Sequence, residues 1–195
     1  MEGKNPYTKV SHRGVTIKPM YVLFHSGWPS QWYQFTVKGE DGKVKVLPQF
    51  VIDGVTYNCA EQYMMAQKAK MFKADALYKS ILSETSPRKM KSMGRKIPNY
   101  DSKTWDACRS DIVTKANLAK FSQNPDLRQK LLDTELRVLI EASPTDKIWG
   151  VGMDAKDLVK RTDQQVLDIG MKLGQNLLGK ALMTVRAHSS LSKSA

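Results

Sequence analysis

The sequence predicts an α+β fold: a single, mostly helical domain with short antiparallel strands near its start. Three observations predict it. Residues 21–57 hold short β-branched and aromatic runs separated by turn residues, such as Tyr21-Val22-Leu23-Phe24 and Phe50-Val51-Ile52. From residue 58 onward the pattern changes to long helix-compatible stretches. A length of 195 residues, with 41% hydrophobic and 26% charged residues, is that of one ordinary globular domain with a sizeable core.

The elements follow in order. Residues 1–18 read as a flexible basic arm and 19–188 as the single folded domain. Tyr21–Phe24 reads as the first strand. Trp32–Lys38 and Lys43–Leu47 read as a hairpin turning through Gly39-Glu40-Asp41-Gly42. A second hairpin joins Phe50-Val51-Ile52 to Val55-Thr56-Tyr57, and Asp53-Gly54 between them predicts a type I′ turn. Helices are predicted near 58–72, 75–83, 86–94, 103–121 and 125–133, the last with Asn124 as N-cap and Pro125 at its first position. Arg137–Glu141 reads as a short strand, 150–165 as a polar loop and 175–187 as a final helix. The Ser/Lys-rich end, 189–195, reads as a disordered tail.

Composition narrows the function classes. No apolar run approaches the roughly 20 residues of a membrane-spanning helix. Met1–Lys18 has basic residues but no apolar core of the kind a secretory signal needs. Cys59 and Cys108 are the only cysteines, which makes no disulfide framework. An intracellular protein, cytoplasmic or nuclear, monomeric and without membrane attachment, is the expectation. With His12, His25 and His188 scattered, neither a histidine triad nor a metal site is expected. No phosphate loop, dinucleotide fingerprint or nucleophile elbow is present, so no cofactor is expected.

Net charge is +12, and residues 68–103 hold ten Lys/Arg against three Asp/Glu. Such a zone attracts phosphate-bearing partners through Coulomb forces and counterion release. The competing reading is a solvated basic surface.

The chemistry concentrates in Cys59-Ala60-Glu61-Gln62-Tyr63-Met64-Met65-Ala66-Gln67-Lys68-Ala69. Read as a helix, it has an apolar stripe at Met64, Met65, Met71 and Phe72. Glu61 and Lys68, seven residues apart, fall on that same stripe. A carboxylate and an ammonium on an apolar face are costly unless paired or used, and facing a cleft they make an acid–base pair. The structural alternative for Glu61 is a capping box with Asn58, and for Lys68 a snorkelling surface lysine. Three further clusters stand out. Ser30-Gln31-Trp32 joins a turn to a ring able to stack on a base. Trp105 opens a helix that also carries Arg109. Asp146-Lys147-Ile148-Trp149-Gly150-Val151-Gly152 puts a carboxylate, an indole and two glycines in one loop. Glycines let backbone approach a ligand closely, and Trp faces stack on bases; core packing is the commoner fate of a Trp.

Together these blocks resemble the NADAR family, also called YbiA-like, whose members cleave N-glycosidic bonds. The matching pieces are Ser30-Gln31-Trp32, Phe50–Tyr57, Ala60–Ala66 with Lys68, Ala69 and Phe72, then Met93-Gly94-Arg95, Trp105-Asp106 and Arg109. Ala119–Asn124, Glu141–Pro144 with Asp146, Trp149–Gly152, Gly174–Gly179 and Ala181–Met183 with Arg186 follow in the family's order. Two features depart from it: the 33–48 hairpin resembles an insertion, and Lys172 stands where an aromatic is expected. The resemblance implies one of two substrates, ADP-ribose on guanine bases of nucleic acid or ribosylamine phosphates of early riboflavin synthesis. Both attach ribose to an exocyclic amine and both carry phosphate. It implies catalytic roles for Glu61, Lys68 and Asp146. Substrate contacts are implied for Ser30, Gln31, Trp32, Arg95, Trp105, Arg109, Trp149, Gly150, Gly152 and Asn176. Glu61 would move protons or stabilise charge at the anomeric carbon, and Lys68 is open to a second role as an imine-forming amine. The expected activity is removal of ADP-ribose from guanine in nucleic acid. The alternatives are the riboflavin-intermediate glycosidase and a non-catalytic ADP-ribose or nucleic-acid reader.

Overall fold

The computed structural model describes residues 14–191. Its strands are β1 (Val15–Ile17), β2 (Tyr21–Phe24), β3 (Thr36–Lys38), β4 (Val44–Val46), β5 (Phe50–Ile52), β6 (Val55–Tyr57) and β7 (Val138–Glu141). Its helices are α1 (Ala60–Met71), α2 (Asp75–Ser83), α3 (Pro87–Gly94), α4 (Ser102–Ser122), α5 (Pro125–Leu132), α6 (Ala155–Leu158), α7 (Asp163–Lys172) and α8 (Leu177–Leu191). The mostly helical α+β class is as expected. The chain divides into two compact units: one takes residues up to Ser30 and from Gln129 onward, the other Gln31–Arg128.

In the first unit the sheet order is β1-β2-β7. β2 pairs antiparallel with β1 and in parallel register with β7, Tyr21 opposite Val138 and Phe24 opposite Glu141. Being central, β2 is buried along its whole length, which its unbroken apolar run foretells. Tyr21, Leu23, Ile140, Ala142, Val151, Leu158 and Val166 form the core. The parallel pairing goes beyond the expected antiparallel strands. β1 lies within the stretch expected to be a flexible arm, because Val15-Thr16-Ile17 has an edge of β2 to pair with. The rest of that arm, 1–13, lies outside the described residues.

The predicted loop at 150–165 also holds structure. α6 starts on Asp154, whose side chain accepts from the Lys156 amide. α7 opens with a reciprocal capping box between Thr162 and Gln165. α8 runs on through residues 189–191 of the expected tail; residues 192–195 lie outside the described ones. Lys172, in the last turn of α7, is an exposed lysine 3.3 Å from Asp168.

Asn176 ties this unit together. Its side chain is fully buried, donates to the carbonyls of Leu139 (3.0 Å) and Gly170 (3.1 Å) and accepts from the Glu141 amide (3.1 Å). The resemblance implies a substrate contact here; the bonds themselves make Asn176 a clamp between β7 and the α7–α8 connection. Asn176→Ala strands those backbone groups and places a Cβ-bearing non-Asn residue at φ 45°. A stability loss of at least about 2 kcal/mol is expected in chemical denaturation. Asn176→Gly, which relieves the dihedral but not the lost bonds, should do somewhat better. Losses below about 0.5 kcal/mol in both variants would contradict the clamp.

The second unit packs α2, α3 and α4 around α1. The β5–β6 hairpin turns through Asp53 and Gly54, both at positive φ (52° and 76°), as a type I′ turn requires. Phe50 stacks on Tyr57, which meets Tyr63 of α1 edge-on at 5.0 Å. The β3–β4 hairpin, expected as an insertion, is exposed on both strands.

Candidate functional site

The site is built on α1. Its first two turns are buried on every side, from Ala60 to Ala66, so the helix is not the one-sided apolar stripe expected. Met71 is 36% exposed and lies off the core. The reason is that α2, α3 and α4 all pack against α1, leaving its N-terminal half no solvent face.

The capping reading of Glu61 is overturned. Cys59 is the N-cap and contributes no side-chain bond. The side chain that reaches back to the Asn58 amide is Gln62, at 2.8 Å. Gln62 also donates to the carbonyls of Ile81 (3.0 Å), Leu82 (3.0 Å) and Glu84 (3.1 Å), fastening α1 to the end of α2. Gln31 supplies what Cys59 does not: its carbonyl accepts the Glu61 amide at 3.0 Å, satisfying an otherwise orphan donor of the first turn. The Ser-Gln-Trp block thus fixes the backbone at Glu61. The Gln31 side chain, 5% exposed, donates to Met64 Sδ at 3.4 Å, while its buried Oε1 meets no donor among the described residues.

Glu61 is 3% exposed. Two turns along α1, about 10 Å of helix rise, Lys68 is half-buried. Burial pulls the Lys68 pKa below the ordinary lysine range, and the negative charge of Glu61 pulls it partly back. Its Nζ donates to the Gly94 carbonyl at 3.1 Å. Gly94 faces Met65 of α1: a Cβ there would run into Met65 Sδ, and that flexible side chain would have to move aside. Lys68 Nζ also sits 4.0 Å from the Tyr100 ring centroid and 5.6 Å from that of Trp105. Lys68 is therefore no snorkelling surface lysine. It is an amine between a carbonyl and two aromatic faces, under the charge of a buried carboxylate.

Other expected contacts in this unit take definite places. Trp105 is 6% exposed and is a wall beside Lys68. Arg109, one turn along α4, is buried with Nη1 2.6 Å from Asp106. Arg95 is exposed at the C-terminal end of α3. Trp32 is exposed, with the Lys91 ammonium 5.9 Å from its ring centroid.

The remaining expected residues belong to the other unit. Ser30 is buried, its amide closing a turn onto the Gly27 carbonyl. Asp146 Oδ1 accepts from the amides of Ile148 (3.0 Å) and Trp149 (2.8 Å), which shapes the loop that presents the partly buried Trp149. Gly150 serves packing: a Cβ there would lie 2.6 Å from the Glu141 carbonyl oxygen. Gly152, at φ 69°, donates its amide to the Asp146 carbonyl at 3.1 Å.

Two residues of interest escaped the sequence reading. Tyr100, against Lys68, lies in a loop with no periodicity to mark it. Lys120 is wholly buried on the inward face of α4, its Nζ 5.5 Å from the Tyr33 ring and 5.1 Å from that of Phe121. Burial pushes its pKa down to about 7, with the nearby Cys59 opposing. Its signal was legible, since Trp105, Arg109, Val113, Ala116 and Lys120 recur at helical spacing. Among the described residues no group of three His, Cys, Asp or Glu is placed to hold a metal.

The family model described as the NADAR domain matches residues 23–189. N-glycosidase R617 of Acanthamoeba polyphaga mimivirus is 44% identical over 130 residues, which is 67% of this chain and 73% of that protein. N-glycosidase YbiA of Escherichia coli (strain K12) is 30% identical over 142 residues, 73% of this chain and 76% of that protein. The NMR structure of the E. coli protein YbiA superposes with a TM-score of 0.65 at 26% identity, covering 93% of this chain and 91% of that one.

Proposed function

Because the chain belongs to the NADAR family, we propose that it is an N-glycosidase that removes ADP-ribose from guanine bases of nucleic acid. Relatives named N-glycosidases support hydrolysis of an N-glycosidic bond. The observation that carries the reading is the α1 pair: a buried carboxylate, Glu61, acting on a desolvated amine, Lys68.

That pair suits a ribose held on an exocyclic amine. The ring oxygen leaves C1′ as the sugar opens, giving an imine between C1′ and the base nitrogen. Lys68 Nζ adds to C1′, and the base amine departs with a proton, leaving C1′ as an imine on Lys68. Water then hydrolyses that imine, restoring the amine and releasing an aldehyde that closes to ribose. Glu61 is the group that carries protons between ring oxygen, base amine and water. In the direct alternative, Glu61 stabilises positive charge at C1′ while water attacks, and Lys68 acts only by charge. The buried Gln31 Oε1, with no donor of its own, suits a ribose hydroxyl.

The preference for nucleic acid rests on charge and stacking. Residues 68–103 carry a net +7. Within them α3 presents the exposed Lys89, and Lys91 stands over the exposed Trp32. Arg95 and Arg109 suit phosphate oxygens. The test compares release of ADP-ribose from a modified oligonucleotide with its release from the modified nucleoside, across salt concentration. Oligonucleotide binding should weaken steeply, by roughly 0.7–0.9 in the log–log slope per neutralised phosphate. Lys89→Gln with Lys91→Gln should lower oligonucleotide cleavage more than nucleoside cleavage. Equal losses, or equal slopes, would favour a riboflavin-type ribosylamine phosphate as substrate. Binding of ADP-ribose without release from either substrate would make the protein a reader.

A further inference from the structure

Lys68 is the reacting amine of the function proposed above, and its immediate neighbour is a residue that function does not use. Tyr100 follows Asn99, which sits at a φ of 53° in the α3–α4 connection. Its ring meets Phe72, just past the end of α1, at 5.4 Å and an interplanar angle of 64°. Its face lies 4.0 Å from the Lys68 ammonium, the nearest ring to that group, yet Tyr100 is 44% exposed. A buried core tyrosine would have no such exposure, and a solvated surface tyrosine would not be locked against both Phe72 and Lys68.

We propose that Tyr100 is a positioning residue: its ring face carries the Lys68 ammonium, setting where the amine stands and how readily it gives up its proton. The attraction between a cation and a ring face acts on the ammonium and disappears with its charge. While protonated, Lys68 is held between the Gly94 carbonyl and the Tyr100 face. On losing its proton it loses the hold of the ring and is released toward substrate. The groups that bear on this titration come from each element around it. Glu61, on the same helix, is the charge acting on Lys68. α3 gives the Gly94 carbonyl, and α4 gives the Trp105 ring. Asp106, Arg109 and Asp101 act on Tyr100 itself. α2 and β6, which also pack on α1, place no charge among those acting on Lys68.

The experiment is an NMR titration of lysine-labelled protein without substrate, with the Lys68 signal assigned by its loss in Lys68→Arg. Tyr100→Leu keeps apolar cover but removes the ring face, and should lower the Lys68 midpoint by roughly 0.5–1 pH unit. Tyr100→Phe keeps the face and should leave the midpoint in place. Tyr100→Trp, the better cation partner, should raise it. The limb of the kcat/KM profile that reports Lys68 should move with the midpoint. An unchanged midpoint in Tyr100→Leu overturns the proposal, as does a shift in Tyr100→Phe equal to that in Tyr100→Leu. Because the titration needs no turnover, failure of the proposed activity leaves it readable: shifted midpoints in a protein that releases no ADP-ribose would sink the substrate reading alone.

Discussion

Glu61→Gln is expected to lower turnover by at least ~10²-fold, the scale of a lost general acid–base group, while the protein stays folded. Three facts lead there. The carboxylate is 3% exposed, so water does not replace its role cheaply. Its backbone amide is fixed by the Gln31 carbonyl, which the substitution leaves intact. The bond that closes the start of α1 comes from Gln62, so removing the Glu61 charge removes no helix cap. Gln62→Ala is the matched control. It strands the Asn58 amide and loses the bonds to Ile81, Leu82 and Glu84, so it should lower the melting temperature. Were Glu61→Gln to melt early at unchanged rate per folded molecule, Glu61 would be a structural residue.

The second large effect falls on Lys68. Lys68→Arg keeps the charge but cannot form an imine, so the imine route predicts turnover at background level. Borohydride added to the wild-type enzyme during turnover should reduce the imine to a stable amine. Peptide mass spectrometry should then place an adduct of ribosyl origin on Lys68. The lowered Lys68 pKa favours this route, because more of the free amine is present at a given pH than for a solvated lysine. An active Arg variant with no trapped adduct would leave Lys68 an electrostatic role and make water the attacking group.

Much of this was legible in the sequence, for reasons that differ by element. Helices α1 to α5 carry strong local signals, such as Asn124-Pro125 and the basic, Gly-ended α3, and the hairpin at Asp53-Gly54 is fixed by its turn residues. The β1–β2–β7 sheet was not legible. The β2–β7 pairing joins residues more than a hundred positions apart, and Val15-Thr16-Ile17, which pairs locally with β2, is too short to announce itself. α7 was missed because a polar composition hid the Thr162–Gln165 capping box. At the site, the seven-residue spacing of Glu61 and Lys68 placed both on one helix correctly. Which side chain reaches back to the Asn58 amide is a matter of direction, and Glu61 and Gln62 look equally suited in sequence. Asn176 and Gly150 look like ligand contacts in a glycine-rich segment. The bonds of Asn176 to β7 and the packing of Gly150 against Glu141 depend on tertiary structure and leave no mark in the sequence. Tyr100 reaches Lys68 through a loop whose course is set by tertiary contacts with Phe72.

The most direct test of the Glu61–Lys68 assignment is a side-by-side incubation of wild-type, Glu61→Gln and Lys68→Arg proteins with an oligonucleotide bearing ADP-ribose on guanine. Mass spectrometry would quantify both free ADP-ribose and restored guanine. The wild-type protein should release the two in equimolar amounts, Glu61→Gln should release them at least ~10²-fold more slowly, and Lys68→Arg should stay at background. Wild-type protein that leaves the oligonucleotide intact, or variants that clear it at the wild-type rate, would contradict the assignment.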